Sequence, residues 1–197
     1  MKCSMLVLAG LAVLMCDATA AYADTITFTE TTTASGSLDG TRFTDALVTL
    51  MLTGDTANVQ SVGVGLLYVP GSATVSVAGD GSDTFTDKMV TAVNQGLPGA
   101  GIGDFTNDLT ILFILNSQLS DYGLTSSIGP LSGLGGFNPR TLFPTIRGTF
   151  DMTSISIITF TAVDSTSTAT PEPGSLPLLG VGLLGLMGMG MQRKQLV

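Results

Sequence analysis

Three carboxylates, Asp80, Asp83 and Asp87, crowd into one glycine-containing stretch, GDGSDTFTD, of this 197-residue chain. Calcium is held by about six to eight oxygens of this kind. The spacing is not that of an EF-hand loop, which favours a solvated acidic hairpin turn over a cation site. A second pattern is Thr-x-Thr, found at Thr25/Thr27/Thr29, Thr84/Thr86 and Thr159/Thr161. On a strand, alternate residues line one face. A flat ladder of such hydroxyls could bind ice or sugar. Threonine is also a good strand former for a solvated face, and no repeat is visible that would set the ladders in register.

Catalytic chemistry has little to work with. The chain has no His and no Trp, and its two cysteines, Cys3 and Cys16, precede residue 24. Beyond that point Ser-His-Asp and Cys-His triads, Cys/His zinc sites and disulfides are all excluded. Glu30 is the only glutamate between residues 24 and 170, so a glycosidase would need Asp in at least one of its two carboxyl roles. Neither Asp55-Thr56 nor Asp164-Ser165 is followed by the Gly of an aspartic-protease signature. The chain reads as non-catalytic, with no cofactor and no metal. Between residues 24 and 170, Arg42, Lys88, Arg140 and Arg147 stand against thirteen carboxylates. That balance disfavours nucleic acid, whose binding relies on Lys and Arg contacts to phosphate.

The elements that must position these groups read as strands. Thr25–Thr29 alternates strictly, and Ala46, Val48, Leu50 and Leu52 share a face. Val62, Val64 and Leu66 lead into a third strand ending near Pro70-Gly71. Val75/Val77 and Phe85 flank the acidic turn as a hairpin. Leu109–Leu115 is apolar on both faces, as in a doubly covered strand. Ile146–Phe150 and Ile155–Val163 complete the set. Residues 94–104 (NQGLPGAGIGD) and 126–144, rich in Gly and Pro, read as loops, the second long enough to hide a short strand. The expectation is an all-β body over 24–163, an antiparallel β-sandwich of jelly-roll or immunoglobulin-like kind, followed by a linker over 164–170.

Both ends look like addresses. Lys2, the apolar Met5–Met15 and Ala21-Tyr22-Ala23 form a signal-peptide pattern over residues 1–23, with cleavage after Ala23. At the other end, residues 176–191 carry no charge, and Arg193 and Lys194 follow directly. A helix of that length reaches roughly 24 Å, a short transmembrane span that the cations would stop and orient. A buried core helix is the alternative. Five glycines in the run (Gly180, Gly182, Gly185, Gly188, Gly190) argue against it, because each costs about 1 kcal/mol relative to Ala in a soluble helix.

Pro171-Glu172-Pro173, the Gly/Leu-rich run and the terminal cations Arg193 and Lys194 together resemble the PEP-CTERM sorting signal of Gram-negative bacteria, over residues 171–197. The resemblance implies recognition by a membrane-embedded exosortase, processing near Pro171-Glu172-Pro173, and delivery to the cell envelope, surface or an exopolysaccharide matrix. Tails of this kind are also grouped with ice-binding proteins. The expected function is an exported structural or adhesive protein of an exopolysaccharide layer. The alternative is a glycan-, calcium- or ice-binding module.

Overall fold

A computed structural model describes residues 24–165. The predicted signal peptide and C-terminal span lie outside them. Among the described residues no helix is long and apolar enough to cross a membrane.

Thirteen strands follow one another: β1 (Thr25–Leu38), β2 (Thr41–Asp55), β3 (Gln60–Val62), β4 (Leu66–Val77), β5 (Gly81–Thr84), β6 (Met89–Asn94), β7 (Gly99–Asp104), β8 (Leu109–Leu115), β9 (Ile128–Gly133), β10 (Gly135–Phe137), β11 (Phe143–Pro144), β12 (Thr149–Ile155) and β13 (Ile158–Ser165). All pairings are antiparallel.

The long strands β1, β2 and β4 lie side by side as a spine. Their first neighbours complete a ring: β4–β6–β7–β8–β10 on one side and β1–β13–β9 on the other, with β9 and β10 joined through Leu134. Between Thr31 and Ala34, just before the bulge at Ser35/Gly36, β1 exchanges β13 for β12 as its neighbour. On the far edge of β4, β6 gives way to β5. A Phe85–Thr145 bridge then links β5 toward β11 and β12, so the opposite end also curls round. The expectation of an all-β, antiparallel body holds. The hydrogen bonds describe one sheet nearly closed into a barrel, not the two separate sheets of a sandwich, because the spine strands are long enough to serve different neighbours at each end.

Alternation explains the core. β1 turns Ile26, Phe28, Thr32 and Ala34 inward; β2 adds Val48, Leu50 and Leu52, and β4 adds Val69, Ala73, Val75 and Val77. Phe28 stacks on Phe160, and Phe43 and Phe85 pack on Phe150. These belong to a single buried cluster. Burying one such ring stabilises by roughly 1.5–3 kcal/mol.

Several expected boundaries move. Pro70-Gly71 does not end a strand. It lies inside β4, where one edge passes from β3 to β2 and the missing N–H falls between the two pairings. Residues 94–104 are not a loop throughout: Gly99–Asp104 is a fully buried strand, with Ala100, Ile102 and Asp104 inward and glycine at every outward position. The 126–144 stretch holds three short strands, β9, β10 and β11. Ile146 is exposed in a turn before β12, and the body runs to Ser165, two residues past its expected limit.

The bulge in β1 needs glycine. A Cβ on Gly36 would lie 2.1 Å from the Asp151 carbonyl oxygen, a clash with backbone that cannot step aside. Gly36→Ala is therefore expected to cost about 2–3 kcal/mol, the scale of overpacking. Urea unfolding checks this, and an unchanged midpoint would show that β12 is not held against β1 as described.

Candidate functional site

The threonine ladders come into register on the outer face of the spine. One row runs Ser132–Thr159–Thr31–Thr49–Ser76–Ser82, each residue directly opposite the next across β9, β13, β1, β2, β4 and β5. A second runs Thr161–Thr29–Met51–Thr74–Thr84, and a third Val163–Thr27–Thr53–Ser72. Neighbours along a row are set by the interstrand spacing of about 4.8 Å. Some hydroxyls hold one another: Thr27 to Thr53 at 3.3 Å and Ser132 to Thr159 at 3.2 Å. All three rows are free of charge. Thr86, beyond the end of β5, stands apart from them.

A second surface lies on the outside of β4, β6, β7 and β8. It is a groove of about 450 Å³ lined by Tyr68, Phe105, Phe113, Leu97 and Leu115 over the outward glycines of β7. The Tyr68 and Phe105 rings stack at 5.0 Å, Lys88 Nζ sits 5.0 Å from the Phe105 centroid, and Phe105 is 44% exposed. Composition gave no hint of this, since phenylalanine is ordinarily a core residue. Position at the tip of the β7–β8 turn puts this one outside.

The acidic residues of the expected turn do not converge. Asp83 Oδ2 accepts from the Arg147 backbone N–H at 2.8 Å, and its Oδ1 accepts from Thr84 N–H at 2.8 Å. The Arg147 guanidinium bridges Asp83 (3.6 Å) and Asp39 (3.4 Å). Burial alone would raise the Asp83 pKa, but these donors outweigh it and leave the carboxyl below its usual range. Asp83 is a latch closing one end of the sheet. Asp87 lies against Asp104, and burial together with that second carboxyl raises its pKa. Asp80 is at the exposed tip. Among the described residues no three acidic side chains lie together.

Glu30 is inside the barrel and fully buried. The bulge between β7 and β8 at Ile102/Gly103 disturbs the ladder, and the Ile102 N–H donates to Glu30 Oε2 at 3.2 Å. Oε1 has no partner. Burial holds the carboxyl well above its usual range, only partly offset by that N–H. A glutamate so placed meets neither the groove nor the hydroxyl rows.

Pro171, Glu172, Pro173, Arg193 and Lys194 lie outside the described residues. Residues 169–194 match the family model of the PEP-CTERM protein-sorting motif, a match that spans all five. The chain thus carries an export and sorting address that implies exosortase processing and association with the cell envelope or surface. No curated protein and no solved structure matches the chain.

The Glu30 carboxyl gives a signed expectation. A raised folded-state pKa means that the native state holds the proton more tightly than the unfolded chain. Its stabilising effect is complete below about pH 4.5 and declines as pH rises toward the folded value, by about 1.4 kcal/mol per unit. Glu30→Gln should remove this part of the slope when unfolding free energy is followed from pH 4.5 upward. Identical slopes in both chains would contradict a buried, protonated Glu30.

Proposed function

We propose that this chain is a non-catalytic, exported protein, sorted by exosortase to the cell envelope or extracellular matrix. There its β body acts as a structural or adhesive component of an exopolysaccharide layer. The observation that carries the adhesive reading is the registered face of hydroxyls, six strands wide along its longest row. An uncharged array of hydroxyl and methyl groups complements a neutral, hydroxyl-rich polymer. Ice is a poorer match. Adjacent strands rotate by roughly 20–25°, so a curled sheet offers a flat crystal plane only a few strands at a time, whereas a polysaccharide chain can follow the twist. Calcium is likewise disfavoured by the separation of Asp80, Asp83 and Asp87.

A second reading, a glycan-binding module using the groove, is favoured by the stacked pair of half-buried Tyr68 and exposed Phe105, since aromatic faces stack on the C–H faces of sugar rings. The two readings separate by mutation. Thr31→Val, Thr49→Val and Thr159→Val together keep shape and strand propensity while deleting three hydroxyls. If the face is adhesive, retention on purified exopolysaccharide should fall about tenfold or more, at about 0.5–1.5 kcal/mol per hydrogen bond. Retention that survives the triple change but is lost with Phe105→Ala would transfer the function to the groove.

A further inference from the structure

The outer face of β4 changes character along its length. Ser72, Thr74 and Ser76 carry the hydroxyl rows, while Leu66 and Tyr68, on the same side of the strand, line the groove. The groove is a trench cut by small residues. Across it, Tyr68, Ala92, Gly101 and Phe113 stand directly opposite one another in turn, and so do Leu66, Asn94, Gly99 and Leu115. Bulky side chains on β4 and β8 form the walls, three strand spacings or roughly 14 Å apart. The outward glycines of β7 leave the floor bare.

The third hydroxyl row leads to the mouth of this trench. Val163, Thr27, Thr53 and Ser72 follow one another across β13, β1, β2 and β4. Gly71 pairs with Met89, and the Phe85 N–H donates to the Ala73 carbonyl at 3.0 Å, so Ser72 faces the segment Thr86–Lys88. The Phe105 N–H donates to the Lys88 carbonyl at 2.9 Å, which puts Phe105 one step further on. Met89 is buried, so its neighbour Lys88 points outward, with its ammonium over the Phe105 ring. From Thr27 to Phe105 the path covers about four strand spacings, roughly 19 Å. It passes from hydroxyls to a cationic donor to an aromatic platform without a break.

We infer that a single linear polysaccharide chain of neutral sugars occupies both surfaces, lying across the strands along the third row and continuing past Lys88 into the groove. The hydroxyl face and the aromatic groove are then two parts of one site. A sugar chain presents hydroxyls at its edges and C–H groups on its ring faces. The first suit Thr27, Thr53, Ser72 and the Lys88 ammonium, and the second suit the Tyr68–Phe105 pair and the bare glycine floor. A peptide is a poorer occupant. The backbones of β6, β7 and β8 are engaged in the ladder beneath the trench, so an extended peptide finds no main-chain partners there. A polyanion is opposed by Asp104 and Asp108, which line the end of the groove that Phe105 marks. The inference rests on the proposed adhesion to exopolysaccharide.

The test is calorimetric titration of the full-length chain, in a detergent without sugar headgroups, with fragments of purified exopolysaccharide sorted by length and charge. Affinity for neutral fragments should rise with length and level off once a fragment spans both surfaces, at one long fragment per protein. Thr27→Val together with Thr53→Val should weaken the longest fragments about fivefold or more, and Phe105→Ala should weaken the same binding event by a similar factor. Phe105→Tyr, which keeps the ring face, should bind as the native chain does, and the urea midpoints of these variants should stay near the native one. Two long fragments per protein, each lost with one set of changes and indifferent to the other, would overturn the continuous path while leaving adhesion standing. So would a loss of affinity in Phe105→Ala alone, equal affinity for short and long fragments, or an absence of binding to neutral fragments. Failure of the native chain to be retained on the intact exopolysaccharide would refute both the path and the adhesive reading.

Discussion

Everything in this body depends on a strict division of faces along β1, β2 and β4. Residues at alternate positions bury Ile26, Phe28, Val48, Leu50, Leu52, Ala73, Val75 and Val77, while their sequence neighbours send Thr27, Thr29, Thr31, Thr49, Thr74 and Ser76 outward. A slip of one residue would exchange the two sets completely. The core fixes the register, and the register then aligns the hydroxyl rows across strands. The hydroxyl face is thus a geometric consequence of the packing that folds the chain.

On β1 the inner face admits two polar side chains, Glu30 and Thr32, and the fold compensates for the ionisable one. Glu30 occupies an inward position between Phe28 and Thr32, where an apolar residue is expected. It remains there bonded to the Ile102 N–H at the β7–β8 bulge, and burial holds its pKa well above the usual carboxylate range. Burying an unpaired polar group costs about 1–3 kcal/mol by mutational measures, so the carboxyl satisfies one buried N–H of the disturbed ladder and is itself left partly satisfied. At the opposite end of the spine, Asp83 and Asp39 meet Arg147 and hold the curled edge. Two acidic residues singled out for chemistry, Glu30 and Asp83, therefore serve architecture.

Much of this was legible before the structure. Thr25–Thr29 and the Val75–Phe85 hairpin declare themselves by period, because side chains of opposite character alternate. Leu109–Leu115 is a strand as its apolar run indicates, but only one face is covered: Leu115 is 40% exposed and Phe113 lines the outer groove. β7 was hidden, since its outward residues are all glycine and Gly-Ala-Gly-Ile-Gly resembles a loop in composition. The near-closure was hidden too: β9 and β10 are short, separated by Leu134, and joined to partners far away in sequence. Thr-x-Thr announced hydroxyl faces but not their mutual register, which long-range pairing supplies. The exposure of Phe105 depends on where the β7–β8 turn falls, and local composition does not specify that.

The chain joins a sorting address to a body that encloses its own core. Delivery is expected to depend on processing at Pro171-Glu172-Pro173. The direct measurement is the C-terminal mass and cell fraction of the protein expressed with and without an exosortase. A chain shortened near that motif and recovered at the surface or in the matrix only when the enzyme is present is the predicted result. An identical, unprocessed C-terminus and an identical distribution in both strains would contradict it.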